Sequence, residues 1–464
     1  MTQDAQQAHA GPAPSARPED DPAVAALRAL VRVPTVSRRA PDTVEPGVFA
    51  RLHDELATHF PLLHEHLELV RVGSDALLFR WRGTGGGPAV VLMAHLDVVP
   101  VDGEAPWTHP AFDAVVADSP EGRAVWGRGT LDDKGSVVGV CAAVERLLAE
   151  GFTPARDVWL SFGSDEEVSG TTAQAAVDHL RDAGVAPWFV LDEGGAVAGG
   201  AFPGVTTPMA VVGVSEKGTT LFEVRATGRG GHSSTPARNG PTARVARAVL
   251  AIDRAPMPAR LPAPAIELFR RLAPHAPAPL RVALAAAGGR LTPLLTRVLA
   301  AAGPEAAALT RTTLATTMLS GSPAPNVIAS TATAVVNARI LVGDTVASVH
   351  EHLRRVVGDH AEVSVLEPGE PSPVSPYEDD PAFALLETTT AEVFPEAVPT
   401  PYVMMAATDS RHFTAICERV YRFAPFPMSK AQREAIHSYD ERLTVEGLLR
   451  GVDWYAALLR GLPA

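Results

Sequence analysis

The chain has 464 residues, 46% hydrophobic and 20% charged, with a formal charge of −13. That length supports a sizeable core and two domains, while the acidic balance argues against nucleic acid or an anionic membrane as partner, since phosphate binding needs a basic surface. Cys141 and Cys417 are the only cysteines, which excludes a disulfide framework or a cysteine-built zinc site and fits a reducing cytosol.

Residues 1–21 are rich in Ala, Pro, Gln and Asp without an apolar stretch of signal-peptide length, so a disordered tail without a leader is expected. No run approaches the roughly 18–20 apolar residues of a membrane span. A cytoplasmic location follows as an expectation. From Asp21, a plausible cap, Val24, Leu27, Leu30 and Val31 share one helical face. A second amphipathic helical stretch covers about 46–67. Apolar runs at 67–72, 76–81 and 89–94 read as strands, the last two joined by a tight hairpin through the glycines of 83–87. A glycine cluster ahead of a strand is a poor phosphate loop. Helical period at 137–148 and 171–180 alternates with apolar strands at 157–163 and 188–191. This alternation predicts an α/β sandwich with a largely parallel sheet. Polar residues gather in the turns after the strands, where such sheets place ligands.

From about Lys217 the texture changes. Strands at 219–227, 327–332, 334–340 and 362–366 with helices at 241–252 and 346–357 describe an α+β sandwich, and 264–309 reads as an insertion of short helices. The Pro-rich stretch 367–376 leads back to the first domain, with a helix at 383–393, a strand at 420–423 and a closing helix at 443–458. The expected division is therefore a tail (1–21), a catalytic domain in two parts (22–215 and 368–464), and an inserted lid (216–367) carrying 264–309.

His95 and Asp97 close an apolar strand two residues apart, so their side chains leave the same face. His95 can bind a metal through one ring nitrogen while Asp97 holds the other and fixes the tautomer. Asp132 stands in G-R-G-T-L-D-D-K-G, a glycine-flexed loop ahead of a helix that can aim one carboxylate between two ions. Asp133 is the more natural helix cap, leaving Asp132 for metal. Strain gathers at functional sites, so a strained Asp132–Asp133 peptide fits a bridging role. Glu166 and Glu167 follow a strand and can divide the work, Glu167 as ligand and Glu166 as general base. Asp192 ends the next strand and is preferred for the second ion, although Glu193 also fits. His437, in a loop before the last helix, is the second imidazole, with Asp440 and Glu441 close behind. Singly these segments are ordinary turns and acidic loops. Together they compose a two-metal hydrolytic site: ligands for two divalent ions, one bridging carboxylate, and one free carboxylate to take a proton from water.

With these residues in place, the chain resembles the dinuclear-zinc metallopeptidase family of acetylornithine deacetylase, succinyl-diaminopimelate desuccinylase, glutamate carboxypeptidase and carboxypeptidase S, over nearly its whole length from about residue 22. The segments W-G-R-G-T-L-D-D-K, L-D-E-G-G, V-S-E-K-G and Y-R-F-A-P, with the helical insertion, are similar to the branch of carboxypeptidase S and the N-acyl-amino-acid hydrolases. The resemblance implies a zinc-peptidase-type α/β/α sandwich with an inserted two-layer α+β lid that serves dimerisation. It implies His95, Asp132, Glu167, Asp192 and His437 as ligands of two Zn²⁺ ions, positions that Co²⁺ or Mn²⁺ also suit. Asp132 would bridge, Glu166 would be the base and Asp97 would support His95. His232 in G-R-G-G-H-S-S-T-P falls where the family has a lid histidine that polarises the scissile carbonyl, often from the dimer mate. Asn326 and Arg339, in P-N-V-I-A-S and N-A-R-I, fall where relatives hold the substrate carboxylate or the oxyanion, and Asn337 replaces the Asp that many members carry. The implied reaction is hydrolysis of an amide beside a free carboxylate in a small peptide, of carboxypeptidase or dipeptidase type. An N-acyl-amino-acid amidohydrolase is the alternative, and a catalytically silent metal-binding relative the rival of another class. The insertion then either walls an acyl pocket or shields a lid edge.

Overall fold

A computed structural model describes residues 17–39, 44–201, 204–301 and 303–464. The expected tail lies outside the described residues up to 16. Residues 17–21 contain a 3-10 turn, Pro18–Asp20, tied to the body where Arg123 donates to Glu19 at 2.5 Å. Asp21 caps the helix Pro22–Val31 through its carboxylate, which accepts from the Ala23 amide at 2.8 Å, and proline at the first turn needs no donor there. The stretch 46–67 is two helices, Val48–His59 and Pro61–His66, because Pro61 cannot continue the first.

The central sheet has ten strands, and its middle runs Val158–Gly163, Val90–His95, Phe189–Asp192, Val420–Arg422, all parallel. Val90–His95 and Val158–Gly163 are buried along their whole length, as strands covered on both faces must be. On one face Leu77, Val90, Leu92 and Phe162 pack with Leu27, Leu30, Val140 and Trp454 from the helices Pro22–Val31, Lys134–Ala149 and Val445–Arg460. On the other, Leu78, Val91 and Trp159 pack with Val177 and Leu180 of Thr172–Asp182 and with Phe413. Each fully buried aliphatic or aromatic side chain contributes about 1.5–3 kcal/mol. The result is an α/β/α sandwich.

The tight hairpin expected at 83–87 is absent: Val158–Gly163 lies between Ala76–Trp81 and Val90–His95. The hairpin sits one turn earlier, joining Glu68–Val72 to Ala76–Trp81. The glycines of 83–87 serve close approach instead, since a Cβ on Gly83 would lie 2.3 Å from the Arg156 backbone.

A second sheet, all antiparallel, orders Thr313–Ser320, Thr331–Ile340, Gly218–Thr227 and Glu362–Glu367. The helices Pro241–Arg254 and Val346–Val357 cover one face around Phe222, Val336 and Leu353, making the two-layer lid. The separate strand expected at 327–332 is corrected. Val327–Ile328 pairs with Gly231–His232 in a small ribbon, and the edge strand is Thr313–Ser320, a mostly exposed T-L-A-T-T-M-L-S segment whose apolar residues do not alternate with polar ones. The insertion contains Ala263–Leu272, Ala278–Ala285, Thr292–Ala301 and Pro304–Thr310. Its core, with Leu268, Phe269 and Leu272, packs on Met209, Val398 and Tyr402. It therefore covers an edge of the central sheet rather than an edge of the lid. No helix among the described residues is long and apolar enough to cross a membrane.

Candidate dinuclear metal centre

Parallel strands deliver their polar ends to one place. His95 ends its strand opposite Gly163, Glu166 and Glu167 begin the turn beyond Gly163, and Asp192 ends the neighbouring strand. His95 is 2% exposed and Asp97 fully buried. The His95 Nδ1 lies 3.0 Å from the Asp97 carbonyl and 3.3 Å from its carboxylate. The Asp97 carboxylate also accepts the amides of Glu166 and Glu167 at 3.2 and 3.1 Å, so one acid fixes both the imidazole and the acidic turn.

Asp132 lies between the two histidines. Its Oδ1 is 2.8 Å from His95 Nε2 and its Oδ2 is 2.9 Å from His437 Nε2. Glu167 reaches the same His437 nitrogen at 3.1 Å. The Asp132–Asp133 peptide bond is cis. The loop is held by Glu441, which accepts from the Leu131 and Asp132 amides at 2.8 and 3.2 Å and from Arg128 at 2.5 Å. His437 adopts φ 60°, uncommon for a side-chain-bearing residue, which turns the chain at this point.

Asp133 precedes the helix Lys134–Ala149 but makes no capping bond. Its Oδ2 accepts the His95 amide at 3.2 Å and its Oδ1 has no partner. Asp133 therefore stands at the cap position as expected, but its carboxylate is turned to the His95 amide and does not cap the helix. Ligand atoms of His95, Asp133 and Glu193 lie within 4.8 Å of one another, as do those of His95, Asp132 and Glu167. Asp192 is not in either group. It is buried, with Oδ2 taken by the Ser410 amide at 2.9 Å. Gly195 lets the chain turn beneath Glu193, because a Cβ there would lie 1.9 Å from the Val211 carbonyl.

The electrostatics follow from this crowding. Burial raises the Glu166, Asp133 and Glu193 carboxyls well above the usual range, with neighbouring carboxylates adding to each. Burial also opposes the charge on Asp132, but hydrogen bonds from His437 and His95 outweigh it and hold that carboxyl well below its ordinary value. The Asp132 and Glu167 hydrogen bonds lift His437 to about 10. The nearby cations face elsewhere: Lys134 donates to the Leu30 and Val33 carbonyls, and Arg128 to Glu441 and the Ser438 carbonyl. Six carboxylates (Asp132, Asp133, Glu166, Glu167, Asp192, Glu193) thus face two imidazoles without a local lysine or arginine partner, and buried Glu167 Oε1 is unpaired. A donor set of imidazole and carboxylate with surplus negative charge fits divalent cations.

Asp409 escaped the sequence reading. It is buried, neither carboxylate oxygen accepts a hydrogen bond among the described residues, Arg411 lies 4.0 Å from Oδ1, and the side chain lies against Gly163; burial and Asp192 push its carboxyl up to about 7. Its only signal was an acid among Thr408, Ser410 and Arg411. The loop is anchored where Glu216 accepts from the Thr408 amide and from the buried Arg422 at 3.1 and 3.2 Å.

The lid residues fall in two places. His232 and Asn326 meet on the small ribbon, where the Ser233 amide donates to the Asn326 carbonyl at 3.2 Å, and both are exposed. Arg339 lies at the other end of the lid sheet, donating to Thr219 Oγ1 at 2.8 Å. Between the Thr227–Thr331 and Thr219–Arg339 pairs the strand advances eight residues, about 26 Å at ~3.3 Å each. The described structure does not bring Arg339 to the His232–Asn326 pair.

The sandwich, the inserted lid and the carboxylate-rich strand ends define a metal-dependent peptidase or amidohydrolase. The model of peptidase family M20/M25/M40 matches residues 91–461, and the chain belongs to this family. It is 34% identical over 425 residues to probable carboxypeptidase S-like 2 of Dictyostelium discoideum, covering 90% of this chain and 80% of that protein. It is 33% identical over 452 residues to the N-fatty-acyl-amino acid synthase/hydrolase PM20D1 of Xenopus tropicalis, covering 94% and 85%. Among solved structures, human carnosine dipeptidase 1 shares the fold at TM-score 0.67 and 16% identity, over 96% of each chain.

Proposed function

We propose that the protein hydrolyses an amide bond adjacent to a free carboxylate, with two zinc ions held at the strand ends. The observation that carries this reading is Asp132, with one oxygen on each histidine, as a bridging carboxylate requires. His95 and Glu193 complete one position, and Glu167 and His437 the other. Glu193 replaces Asp192 in this assignment because the Ser410 amide already occupies an oxygen of Asp192 while Glu193 clusters with His95. Asp97 supports His95. Bound metal ions supply an acidified water and a Lewis acid for the carbonyl.

The chain's own groups do the rest. Glu166 stands beside the cluster without being part of either ligand group, and its carboxyl is raised by burial and by neighbouring acids. Positive charge bound beside it lowers that value and leaves a base suited to neutral pH. Glu166 takes the proton of the attacking water and returns it to the leaving nitrogen. Arg339 binds the substrate carboxylate: it is partly buried and its described hydrogen bond is to a neutral hydroxyl, so its planar fork remains available for a carboxylate. Asn326 and His232 hold the developing oxyanion. Their distance from Arg339 along one lid favours a homodimer in which His232 serves the partner's site. Residues 216–367 act as the lid and 22–215 with 368–464 as the catalytic domain.

A second reading narrows the substrate to N-acyl amino acids, supported by the similarity to the N-fatty-acyl-amino acid synthase/hydrolase. Zinc-loaded protein assayed on free-carboxylate dipeptides against N-acetyl and N-long-chain-acyl amino acids separates the two. Preference for dipeptides selects the first reading and preference for acylated amino acids the second. Stoichiometric zinc without hydrolysis of any member of the panel overturns both.

A further inference from the structure

The acidic balance of the chain reverses locally in the helical insertion. Residues 268–304 contain five arginines and neither Asp nor Glu, against −13 overall; Arg270 and Arg271 pair with Glu267 and Glu387 outside the stretch, which leaves Arg281, Arg290 and Arg297. The helices Ala278–Ala285 and Thr292–Ala301 lie within this stretch, and each buries one side: Leu284 and Leu295 pack in a cluster with Leu268 and Phe269. Their outer side is apolar as well. Val282 is 70% exposed, Leu294 and Val298 are 58%, and Leu291 is 56%. Leu291, Leu294 and Val298 recur at i, i+3 and i+7 and so form one stripe. Arg290 and Arg297, seven residues apart and both exposed, run alongside it, and among the described residues neither has an ion-pair partner.

We propose that this face docks on the surface of an anionic lipid bilayer, with the apolar stripe at the acyl boundary and the arginines among the headgroup phosphates. An apolar stripe bordered by arginine is the pattern of a helix lying in the membrane interface. The net charge of −13 argues against an anionic membrane for the molecule as a whole, but fields fade within roughly 10 Å at 0.1 M salt, so at this face the local patch governs contact. A second copy is the poorer occupant. A two-fold contact would bring Arg290 and Arg297 of both copies together with no acid in the stretch to pair them. A nucleic acid would leave the stripe without use.

The test is co-sedimentation of the metal-loaded full chain with vesicles of phosphatidylcholine alone or mixed with phosphatidylglycerol. Binding to the mixed vesicles is expected to be at least about tenfold tighter and to weaken as salt rises. Leu294→Glu with Val298→Glu, and separately Arg290→Glu with Arg297→Glu, should each remove binding while the melting temperature and circular dichroism stay unchanged. Equal sedimentation with both vesicle types, or retention by both double variants, overturns the proposal. So does light scattering that shows the unmodified chain as an oligomer dissociated by Leu294→Glu with Val298→Glu in the absence of vesicle binding, because the face is then a contact between copies.

Discussion

At the strand ends, Asp97 is fully buried with both oxygens on the amides of Glu166 and Glu167, and Glu441 holds the Asp132 loop through three donors. On the lid, His232 is exposed and, among the described residues, its Nδ1 meets only the neighbouring Ser234, while Arg339 rests on one threonine hydroxyl. On the proposed reading the strand ends hold ions, and groups that must do so in a fixed geometry are over-determined by their surroundings. On the same reading His232 and Arg339 meet and release a substrate, and groups with that task are held lightly, as moving elements are. Substitutions at the strand ends should therefore abolish metal or turnover for every substrate. Substitutions on the lid should be graded and substrate-dependent.

The largest effect is expected at Glu166. Glu166→Gln should lower kcat by about 10²–10⁴-fold with both metals retained, read by steady-state kinetics beside metal analysis. Normal turnover by a metal-loaded variant would remove Glu166 from the mechanism. His232→Ala follows, at about 10²–10³-fold if its ring stabilises the oxyanion. Mixing it with Glu166→Gln tests which chain it serves. Mixed dimers regain activity only if His232 acts across the interface, and a mixture as dead as its parts keeps it within its own chain. Next, Glu193→Gln should empty one metal position, whereas Asp192→Asn should keep both and lose about 10–100-fold in affinity, the cost usual for an outer support. The reverse result in metal content after dialysis would restore Asp192 as the ligand. Arg339→Lys is smaller still, raising KM about tenfold for free-carboxylate substrates and leaving amidated analogues unchanged. Equal losses on both substrate types would break the contrast between the two regions.

The contrast also explains what the sequence made legible. Strand-end residues announced themselves because an apolar run that stops at His95, at the Glu166–Glu167 pair or at Asp192 leaves a polar group where the sheet opens. The choice between Asp192 and Glu193 was not legible, since it depends on the Ser410 amide, 218 residues away. Asp409 was hidden for the same reason: its importance comes from burial against Gly163, not from its neighbours in sequence. In the fold, central strands and helices read clearly because burial on both faces or along one stripe leaves a pattern. Thr313–Ser320 did not, because this mostly exposed edge strand, T-L-A-T-T-M-L-S, has no regular apolar alternation. The misplaced hairpin at 83–87 shows the limit of local signals. Glycines there answer to the approach of Arg156, a tertiary contact.

The gentlest probe is protonation of the metal-free protein. His437 is raised to about 10 by its hydrogen bonds to Asp132 and Glu167. Its folded value exceeds the unfolded value of about 6.5. The stabilisation it gives the metal-free fold is thus fully present below about pH 6.5 and is lost as pH rises through about 10. An ion must bind the neutral ring, so metal uptake between these limits has to expel the proton that Asp132 and Glu167 hold on it. Titration calorimetry in two buffers of different ionisation enthalpy should show proton release across this window, with about one proton fewer for His437→Ala. Release from His437 should vanish above pH 10, where the ring is already neutral. Identical proton counts for the two proteins at neutral pH would mean that the ion does not take the place of this proton. His437 would then belong with the lightly held groups of the lid rather than with the centre at the strand ends.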